Sequence, residues 1–526
     1  MRIRYCLEKA LYLAKSGRPG PCWLDIPLNV QGAFVETEDL EGFDPEDYEN
    51  GGTGWGTMGN IHAIPEDEAG KGEKRQLLPG KVSRETADLI LSKIRAAKRP
   101  VINAGNGIRI AGAHDVFMRV AEKLGIPVIT GWDSEDCIWD EHPLYTGRAG
   151  NMGDRAGNFA IQNSDLVLSV GSRLSIRQVG YNYKTWARAA FVIANDIDSE
   201  ELKKPSVHAD LAVHADAKDL LEQLDGALDE ILEKEGNQLA ESLSKKGEKQ
   251  LFGGGEGLPG MSWSETCRMW KETYPVVQEK HWNFTDQEPA NVYAAIQAIS
   301  SRLKEDQITV VGNGSACVVG GHAYVIKKGQ RFITNSAVAA MGYDLPAAIG
   351  AWTASRDSRC YSQGRDRSGE DLILVTGDGS IQMNLQELQT IIHHKMGIKI
   401  FLINNGGYHS IRQTQKNFFG EPLIGIGVDS GDLSFPDMEK LAGAYGYPYI
   451  KAEHNSELAK AVEQTLAVEG PVICEIFVSM DQNFEPKSSA KRLPDGTLVS
   501  PPLEDLAPFL PEEEMDRNMI IPRIRE

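Results

Sequence analysis

The stretch from Gly377 to Asn405 constrains the fold of this chain more than any other part of the sequence. An unbroken apolar run at residues 372–375 predicts a strand that is buried on both faces, as in a parallel sheet. Gly-Asp-Gly-Ser follows at 377–380, and apolar residues then recur at helical spacing before a second apolar run at 398–403. We therefore predict a strand–turn–helix–strand unit. It places the aspartate of the first motif and Asn405 at the carboxyl ends of two parallel strands, where open α/β sheets bind ligands.

The residue types in this unit fit a metal-bound diphosphate. Gly377 and Gly379 allow backbone N–H groups to approach phosphate oxygens, and the helix that follows offers its N-terminus. Asp378 and Asn405 supply hard oxygen ligands, which suit Mg²⁺ or Ca²⁺. A Gly-Asp-Gly sequence alone is usually only a turn. The Asn-Asn pair at 404–405, on the next predicted strand, favours the ligand-binding interpretation.

This pairing of motifs resembles the thiamine diphosphate signature of the acetolactate synthase, pyruvate decarboxylase and benzoylformate decarboxylase superfamily. The resemblance runs along nearly the whole chain and is strongest over residues 335–412. It implies an α/β fold with doubly wound parallel sheets, namely a central domain at 84–234 and a C-terminal diphosphate-binding domain at 290–480. The intervening segments at 34–83 and 235–289 are predicted linkers. The tail at 481–526 either covers the active site, packs on a neighbouring subunit or is unstructured.

Residues 1–33 resemble the last helix and strand of a pyrimidine-binding domain, with a helix at 3–16 and a short buried strand at 22–27. In the family, that domain also carries a Glu that activates the cofactor, and no carboxylate of this chain matches it. Three readings stay open: a fragment, a misplaced start, or a second polypeptide that completes the site. We expect the chain alone to bind the diphosphate weakly and to turn over little substrate.

The resemblance assigns roles to single residues. Asp378, Asn405 and the main-chain carbonyl of Gly407 are the implied Mg²⁺ ligands, and Met341 is the residue that wedges beneath the cofactor. His409 is an acid–base candidate, with a solvated loop histidine as the competing interpretation. The other implied cofactor-binding residues are Asn313, Gly314, Ser315, Ala339, Gly377, Gly379, Ser380, Tyr408 and Ser410.

The central domain is predicted from strands that alternate with helices, at 100–102, 126–129, 165–170 and 191–196. In acetolactate synthases the corresponding domain carries FAD. Gly105, Arg173, Asp196 and Asp216 fall where that flavin would lie. The alternative is a purely structural domain that has lost the nucleotide.

The implied activity is Mg²⁺- and thiamine diphosphate-dependent decarboxylation of a 2-oxo acid such as pyruvate, with transfer of the acyl unit to a carbonyl acceptor. Acetolactate synthases carry a Trp nine residues beyond the metal-binding Asn, where this chain has Thr414. A smaller residue favours a different or larger acceptor. The alternatives are a simple 2-oxo acid decarboxylase and a non-catalytic cofactor-binding chain.

Composition narrows the partners. The 55 basic and 75 acidic residues give a net charge of −20, which argues against nucleic acid and anionic membranes as partners. No apolar run is long enough to span a membrane. The seven cysteines are scattered without a C-x-x-C pair, so neither zinc nor a disulfide framework is indicated, and a reducing cytoplasm is the simplest expectation. By resemblance, we expect a homodimer or homotetramer.

Overall fold

Two six-stranded sheets, each with parallel strands only, organise the chain in the computed structural model, which describes residues 2–52, 77–242, 252–357, 370–492 and 497–524. The strands of the first sheet are β1 Pro100–Ala104, β2 Val128–Thr130, β3 Tyr145–Arg148, β4 Leu166–Val170, β5 Phe191–Asp196 and β6 Leu211–His214. They lie in the order β3-β2-β1-β4-β5-β6. The main helices around it are Arg84–Ala96, His114–Leu124, Arg155–Asn163, Ala217–Ser242 and Trp263–Thr273.

The second sheet has the order β11-β12-β10-β9-β7-β8. Its strands are β7 Ile308–Val311, β8 Arg331–Thr334, β9 Leu372–Gly377, β10 Ile398–Asn404, β11 Tyr449–Ala452 and β12 Val472–Phe477. The helices on its two faces are Val292–Arg302, Ser315–Ala323, Asp344–Ala354, Glu387–His393, His409–Phe418, Met438–Tyr445 and Asn455–Ala467. The predicted fold class, doubly wound parallel sheets in two domains, is confirmed.

Alternate residues of the central strands enter separate cores, which explains their unbroken apolar sequences. In β9, Leu372 and Leu374 pack in one cluster, whereas Ile373 and Val375 pack in another on the opposite face. Burial on both faces removes the alternation of polar and apolar residues that marks a half-exposed strand. Parallel strands also deliver their carboxyl ends to one edge. Gly377 at the end of β9 pairs with Ile403 of β10, so the loops after these two strands start side by side.

The N-terminal region differs from its prediction in one element. The helix is confirmed at Ile3–Lys15, but the predicted buried strand at 22–27 is wrong: the described residues there pair with no strand, and Trp23 is 94% exposed. A strand needs a neighbouring strand for its backbone hydrogen bonds, and none lies beside this segment in the described structure.

The start of the predicted linker at 34–83 packs against the first helix. A short helix, Pro45–Glu49, follows Phe43, whose ring lies 5.2 Å from that of Tyr12 and 5.8 Å from that of Tyr5. Residues 53–76 of that linker lie outside the described residues, as do residues 358–369.

The described part of the tail packs on the central domain. Leu506 and Met515 are almost completely buried, and the helix Glu512–Asn518 ends against Trp270, whose indole N–H donates to Asn518 Oδ1 over 2.8 Å. Of the three readings for this segment, an unstructured end is therefore wrong for residues 497–524.

Two further features concern the described residues as a whole. Within them, no helix is both long and apolar enough to cross a membrane. The six cysteines that the structure describes are free thiols.

Buried polar groups join the two domains. Arg148 of β3 donates to the main-chain oxygens of His322 over 2.9 Å and Tyr324 over 2.7 Å, and Asp136 pairs with Arg331 at 2.7 Å. Glu135 lies in the same interface with 3% of its surface exposed, and its Oε2 has no hydrogen-bond partner among the described residues. Burial raises the pKa of Glu135 to about 8.

We expect Glu135→Gln to stabilise the protein more at pH 8 than at pH 5. The folded carboxyl holds its proton up to about pH 8, whereas the unfolded chain loses it near the ordinary glutamate pKa of 4.5. Stability of the wild type should therefore fall as pH rises through this window, by about 1.4 kcal/mol for each unit of pKa difference as an upper limit. Glutamine cannot ionise, so the difference in free energy of unfolding between variant and wild type should grow with pH.

Urea denaturation at pH 5, 6.5 and 8 measures this difference. Glu141→Gln, which changes an exposed carboxyl on the same segment, is the matched control and should show no such trend. Parallel pH profiles for Glu135→Gln and wild type would contradict the prediction.

Candidate active site

A cavity of about 340 Å³ opens at the carboxyl edge of the second sheet; we call it the C-terminal cavity. The loops after β7, β9 and β10 form its floor, and the central domain contributes Trp132 and Arg177 to its wall. Most of the residues that the sequence nominated line it: Asn313, Gly314, Ser315, Ala339, Met341, Gly377, Asp378, Gly379, Ser380, Asn405, Gly407, Tyr408, His409 and Ser410.

The carboxylate of Asp378 ties together the loops after β9 and β10. It is 5% exposed, and its Oδ1 accepts a hydrogen bond from Gly379 N while Oδ2 accepts one from Gly407 N, both over 2.9 Å. Burial raises the pKa of Asp378 to about 7, against the two backbone donors and the positive charge of Arg412, which act to lower it. A divalent cation at this carboxylate would favour the ionised form.

Asn405 presents an unused acceptor to the cavity. Its amide nitrogen donates to Ser315 Oγ over 2.8 Å, which sets the orientation of the side chain. Its Oδ1 is buried and has no partner among the described residues. An unpartnered buried acceptor is costly unless a ligand satisfies it, and an oxygen beside a carboxylate suits a hard cation.

The loop after β10 needs glycine at Gly407. Its φ is +143°, and a Cβ there would come within 2.1 Å of the carbonyl oxygen of Ile426. The same close approach allows Tyr408 N to donate to Ile426 O over 2.6 Å and Val428 N to donate to Gly406 O over 3.0 Å. The loop is thus held against residues 426–428.

Arg412 anchors this loop from below, and sequence reasoning missed it. The side chain is fully buried; it pairs with Asp429 through bonds of 2.8 and 2.9 Å and donates to the main-chain oxygens of Asn405 and Gly406 over 3.1 Å each. An arginine on an otherwise polar helix normally faces solvent. Nothing in the local sequence therefore distinguished this one.

The loop after β7 offers backbone donors to an anion. Gly314 has φ of +110°, and Ser315 begins the helix Ser315–Ala323, whose first N–H groups have no partner within the helix. The Asn313 side chain lines the cavity and is also hydrogen-bonded to two main-chain oxygens. Its amide nitrogen donates to Asn335 O over 3.2 Å and to Ala340 O over 2.8 Å.

Met341 enters the cavity from a constrained turn. Ala339 has φ of +57°, and the next glycine, Gly342, has φ of +82°. Ser380 Oγ accepts from Gly342 N over 2.9 Å, and Asn384 Nδ2 donates to Gly342 O over 2.7 Å. These bonds fix Met341 in place. The Ser380 hydroxyl therefore already accepts a hydrogen bond within the protein.

His409 is buried, so its interpretation as a solvated loop residue is wrong. Its Nε2 lies 2.7 Å from Gln482 O, its Nδ1 lies 3.4 Å from an Arg412 nitrogen, and burial lowers its pKa. Thr414 is exposed, donates to Ser410 O over 3.0 Å and does not line the cavity. The prediction of a different or larger acceptor, which is based on the small size of Thr414, is therefore not supported by a contact between Thr414 and the cavity.

A second cavity, of about 530 Å³, opens at the carboxyl edge of the first sheet; we call it the central cavity. Gly105, Arg173, Asp196 and Asp216, the four residues nominated for a flavin, all line it. Gly105 packs so closely that a Cβ would meet Gly171 O at 2.3 Å, which keeps the ends of β1 and β4 together. The N-terminal region closes one side through Lys15 and Arg18, and the latter forms an ion pair with Asp198.

The two cavities share a wall made of Trp132, Arg177 and Ser336. The guanidinium of Arg177 lies 4.9 Å from the centre of the Trp132 ring, a cation–π contact. Sequence reasoning named none of the three residues, although Ser336 lies within the region of strongest resemblance.

The described residues contain no group of three or more His, Cys, Asp or Glu side chains that could hold a metal. A cation in the C-terminal cavity would therefore take Asp378, Asn405 and main-chain oxygen from the protein, and its other ligands from a bound anion and water.

Comparison with known protein families identifies the class. Residues 87–224 match the model described as "Thiamine pyrophosphate enzyme, central domain", and residues 312–476 match "Thiamine pyrophosphate enzyme, C-terminal TPP binding domain". The first match contains all six strands of the first sheet, and the second contains β8 to β11 and most of β12. Every residue that lines the C-terminal cavity lies in one of the two matched regions. The chain belongs to the thiamine pyrophosphate-dependent enzymes.

Within this class, the chain is similar to acetolactate synthases. A probable acetolactate synthase large subunit of Methanococcus aeolicus is 27% identical over 503 residues, which cover 95% of this chain and 73% of that protein. The large subunit of Lactococcus lactis is 28% identical, with 91% and 70% covered. Isozyme 1 of Escherichia coli is 25% identical, with 91% and 71% covered. The chain is an acetolactate synthase-like member of the family.

We predict that Arg412→Lys weakens Mg²⁺-dependent binding of thiamine diphosphate roughly 10- to 100-fold, the usual effect of removing a group that orients a metal ligand. Lysine keeps the charge but cannot bond Asp429 and two carbonyls together, so the loop that carries Asn405 should lose its fixed position. Isothermal titration calorimetry measures the affinity. Lys416→Gln changes an exposed cation one turn further along the same helix and should bind as the wild type does. Equal affinities in both variants would contradict the role of Arg412.

Proposed function

We propose that this chain binds thiamine diphosphate through Mg²⁺ in the C-terminal cavity. On it the chain decarboxylates a 2-oxo acid, pyruvate being the first candidate, and transfers the acyl unit to a carbonyl acceptor. The observation that carries the proposal is the unpartnered, buried Oδ1 of Asn405 in the cavity that Asp378 also lines, in a domain of the thiamine pyrophosphate-binding family. The relatives named as acetolactate synthases support the reaction class.

The proposed metal ligands are Asp378, Asn405 and the main-chain carbonyl of Gly407. The first N–H groups of the helix at Ser315 and the glycine-lined floor would receive the diphosphate oxygens. Met341, fixed by the turn that follows it, would support the cofactor from below. When bound, thiamine diphosphate would supply a nucleophilic carbon and an electron sink for the decarboxylation.

Arg177 is the proposed binding group for the substrate carboxylate. It lines the C-terminal cavity from the central domain, and its guanidinium lies 4.9 Å from the centre of the Trp132 ring. A planar guanidinium matches the two oxygens of a carboxylate. His409, with a bond from Nε2 to Gln482 O, is proposed to shape the site and to hold a proton at Nε2.

We expect Asp378→Ala to abolish Mg²⁺-dependent binding of thiamine diphosphate. The substitution removes a metal ligand and also the acceptor for Gly379 N and Gly407 N. Calorimetric titration with and without Mg²⁺ measures this, and Glu463→Gln, an exposed carboxyl of the same domain, is the control. Unchanged affinity in Asp378→Ala would remove the central claim.

The reaction is tested by CO₂ release from pyruvate, with and without an aldehyde or ketose acceptor. The assay compares the chain alone with a version extended at its amino end by a pyrimidine-binding domain. We expect release that depends on the cofactor and on Asp378, and a raised KM for the acid in Arg177→Gln with diphosphate affinity unchanged. Activity only in the extended version would show that the activating carboxylate lies outside these 526 residues. Release without any acceptor product would favour a simple decarboxylase, and no release in either version would favour a non-catalytic binding protein.

We also propose that the central cavity binds FAD. Its glycine-lined strand ends, the carboxylates of Asp196 and Asp216 and the cationic groups of Lys15, Arg18 and Arg173 suit the hydroxyl and phosphate groups of a nucleotide. We expect the purified protein to take up added FAD and to show flavin absorbance after gel filtration. Protein that stays colourless would leave this domain structural.

A further inference from the structure

The loop at residues 335–341 touches both cavities, and we propose that it couples their occupancy. Binding of FAD in the central cavity should raise the affinity of the C-terminal cavity for thiamine diphosphate. Binding of thiamine diphosphate should likewise raise the affinity of the central cavity for FAD. The route is the hydrogen bond between Asp133 and Ser336, which makes these two residues positioning residues for the cofactor site. The inference rests on the assignment of FAD to the central cavity.

One end of the loop is fixed to the central domain. Ser336 is 2% exposed, lines both cavities and donates from Oγ to Asp133 Oδ1 over 2.7 Å. Asp133 itself lines the central cavity next to Trp132. A ligand there would meet the residue that holds Ser336.

Asn313, a residue of the C-terminal cavity, holds the loop on both sides of Ser336. Asn313 Nδ2 donates to Asn335 O over 3.2 Å and to Ala340 O over 2.8 Å. Asn313 lines the C-terminal cavity, as do Ala339 and Met341 at the end of the loop. A ligand that restrains Asn313 would therefore also restrain the segment that carries Ser336.

The loop has little packing of its own. Ala337, Val338 and Ala340 are exposed, Val338 by 81%. Ala339 has φ of +57° and Asp133 has φ of +66°, conformations that cost an L-residue roughly 1 kcal/mol or more each and persist only where other contacts hold them. The order of the loop thus depends mainly on its hydrogen bonds to Asp133 and Asn313.

This arrangement predicts positive coupling. Each ligand must order the same loop, so the ligand that binds second meets a loop that is already ordered and loses less conformational entropy. Because coupling is a property of the binding equilibrium, the two ligands must affect each other by the same factor.

Calorimetric titration of thiamine diphosphate with Mg²⁺, into flavin-free protein and into protein saturated with FAD, measures the factor without any assay of activity. We expect FAD to tighten diphosphate binding about fivefold or more, the lower end of typical coupling. The reverse titration, FAD into protein with and without the diphosphate, should give the same factor. Ser336→Ala should reduce the factor to about one.

Two variants separate the hydrogen bond from general damage. Asp133→Asn keeps an acceptor for Ser336, and asparagine tolerates positive φ, so this variant should retain the coupling. Ser92→Ala, on an exposed helix position of the central domain, should retain it too. Circular dichroism of each variant verifies the fold.

The failures are distinguishable. If FAD binds and the diphosphate affinity does not change in the wild type, the coupling is overturned while the FAD assignment stands. If FAD does not bind, both are overturned. If Ser336→Ala retains the wild-type factor, the route through Asp133 is overturned. The wild-type titrations decide the first two cases even if a variant fails to fold.

Discussion

The hydrogen bonds from Gly379 N and Gly407 N to the Asp378 carboxylate are the interaction on which the candidate active site depends. They join the loops after two adjacent strands, and they are available only because β9 and β10 run parallel and end in register. A parallel sheet with both faces covered brings all its carboxyl ends to one edge, and buried main-chain donors there must find acceptors. The buried carboxylate of Asp378 satisfies them and lines the cavity, where a cation would favour its ionised form.

The loop that carries Asn405 is held by a second buried charged group, the guanidinium of Arg412. Its charge is opposite in sign to that of the Asp378 carboxylate. Arg412 binds the carbonyls of Asn405 and Gly406 from below, and Asp429 neutralises it. Because Arg412 is fully buried, removing Asp429 would leave its charge uncompensated inside the protein, which is destabilising. The Oδ1 atom of Asn405 can therefore face the cavity without a partner among the described residues, since Arg412 holds the main chain of Asn405 and Ser315 holds its amide nitrogen.

The central domain contributes to this site as well as to its own cavity. Trp132, Arg177 and Ser336 form one wall with a ligand-accessible space on each side. Because protein interiors are closely packed, a side chain of this wall that moves in one cavity also changes the shape of the other cavity. The buried polar contacts of Arg148 and Asp136 keep the domains in this relative position. A carbonyl acceptor that reaches the C-terminal cavity would thus meet groups from both domains.

The sequence by itself determined the two doubly wound sheets and the meeting of Asp378 with Asn405, because unbroken apolar runs and glycine-bounded turns report local burial and strand ends directly. The resemblance to the family pointed to Gly105, Arg173, Asp196 and Asp216, and all four line one cavity at the carboxyl edge of the first sheet. It failed at residues 22–27, where a strand-like composition had no strand to pair with, and at His409, whose burial depends on Gln482 in the tail. Only the tertiary structure decided the roles of Arg412, Arg177 and Ser336. Their surroundings come from residues distant in the chain, and no local pattern records which polar side chains will be buried by such contacts.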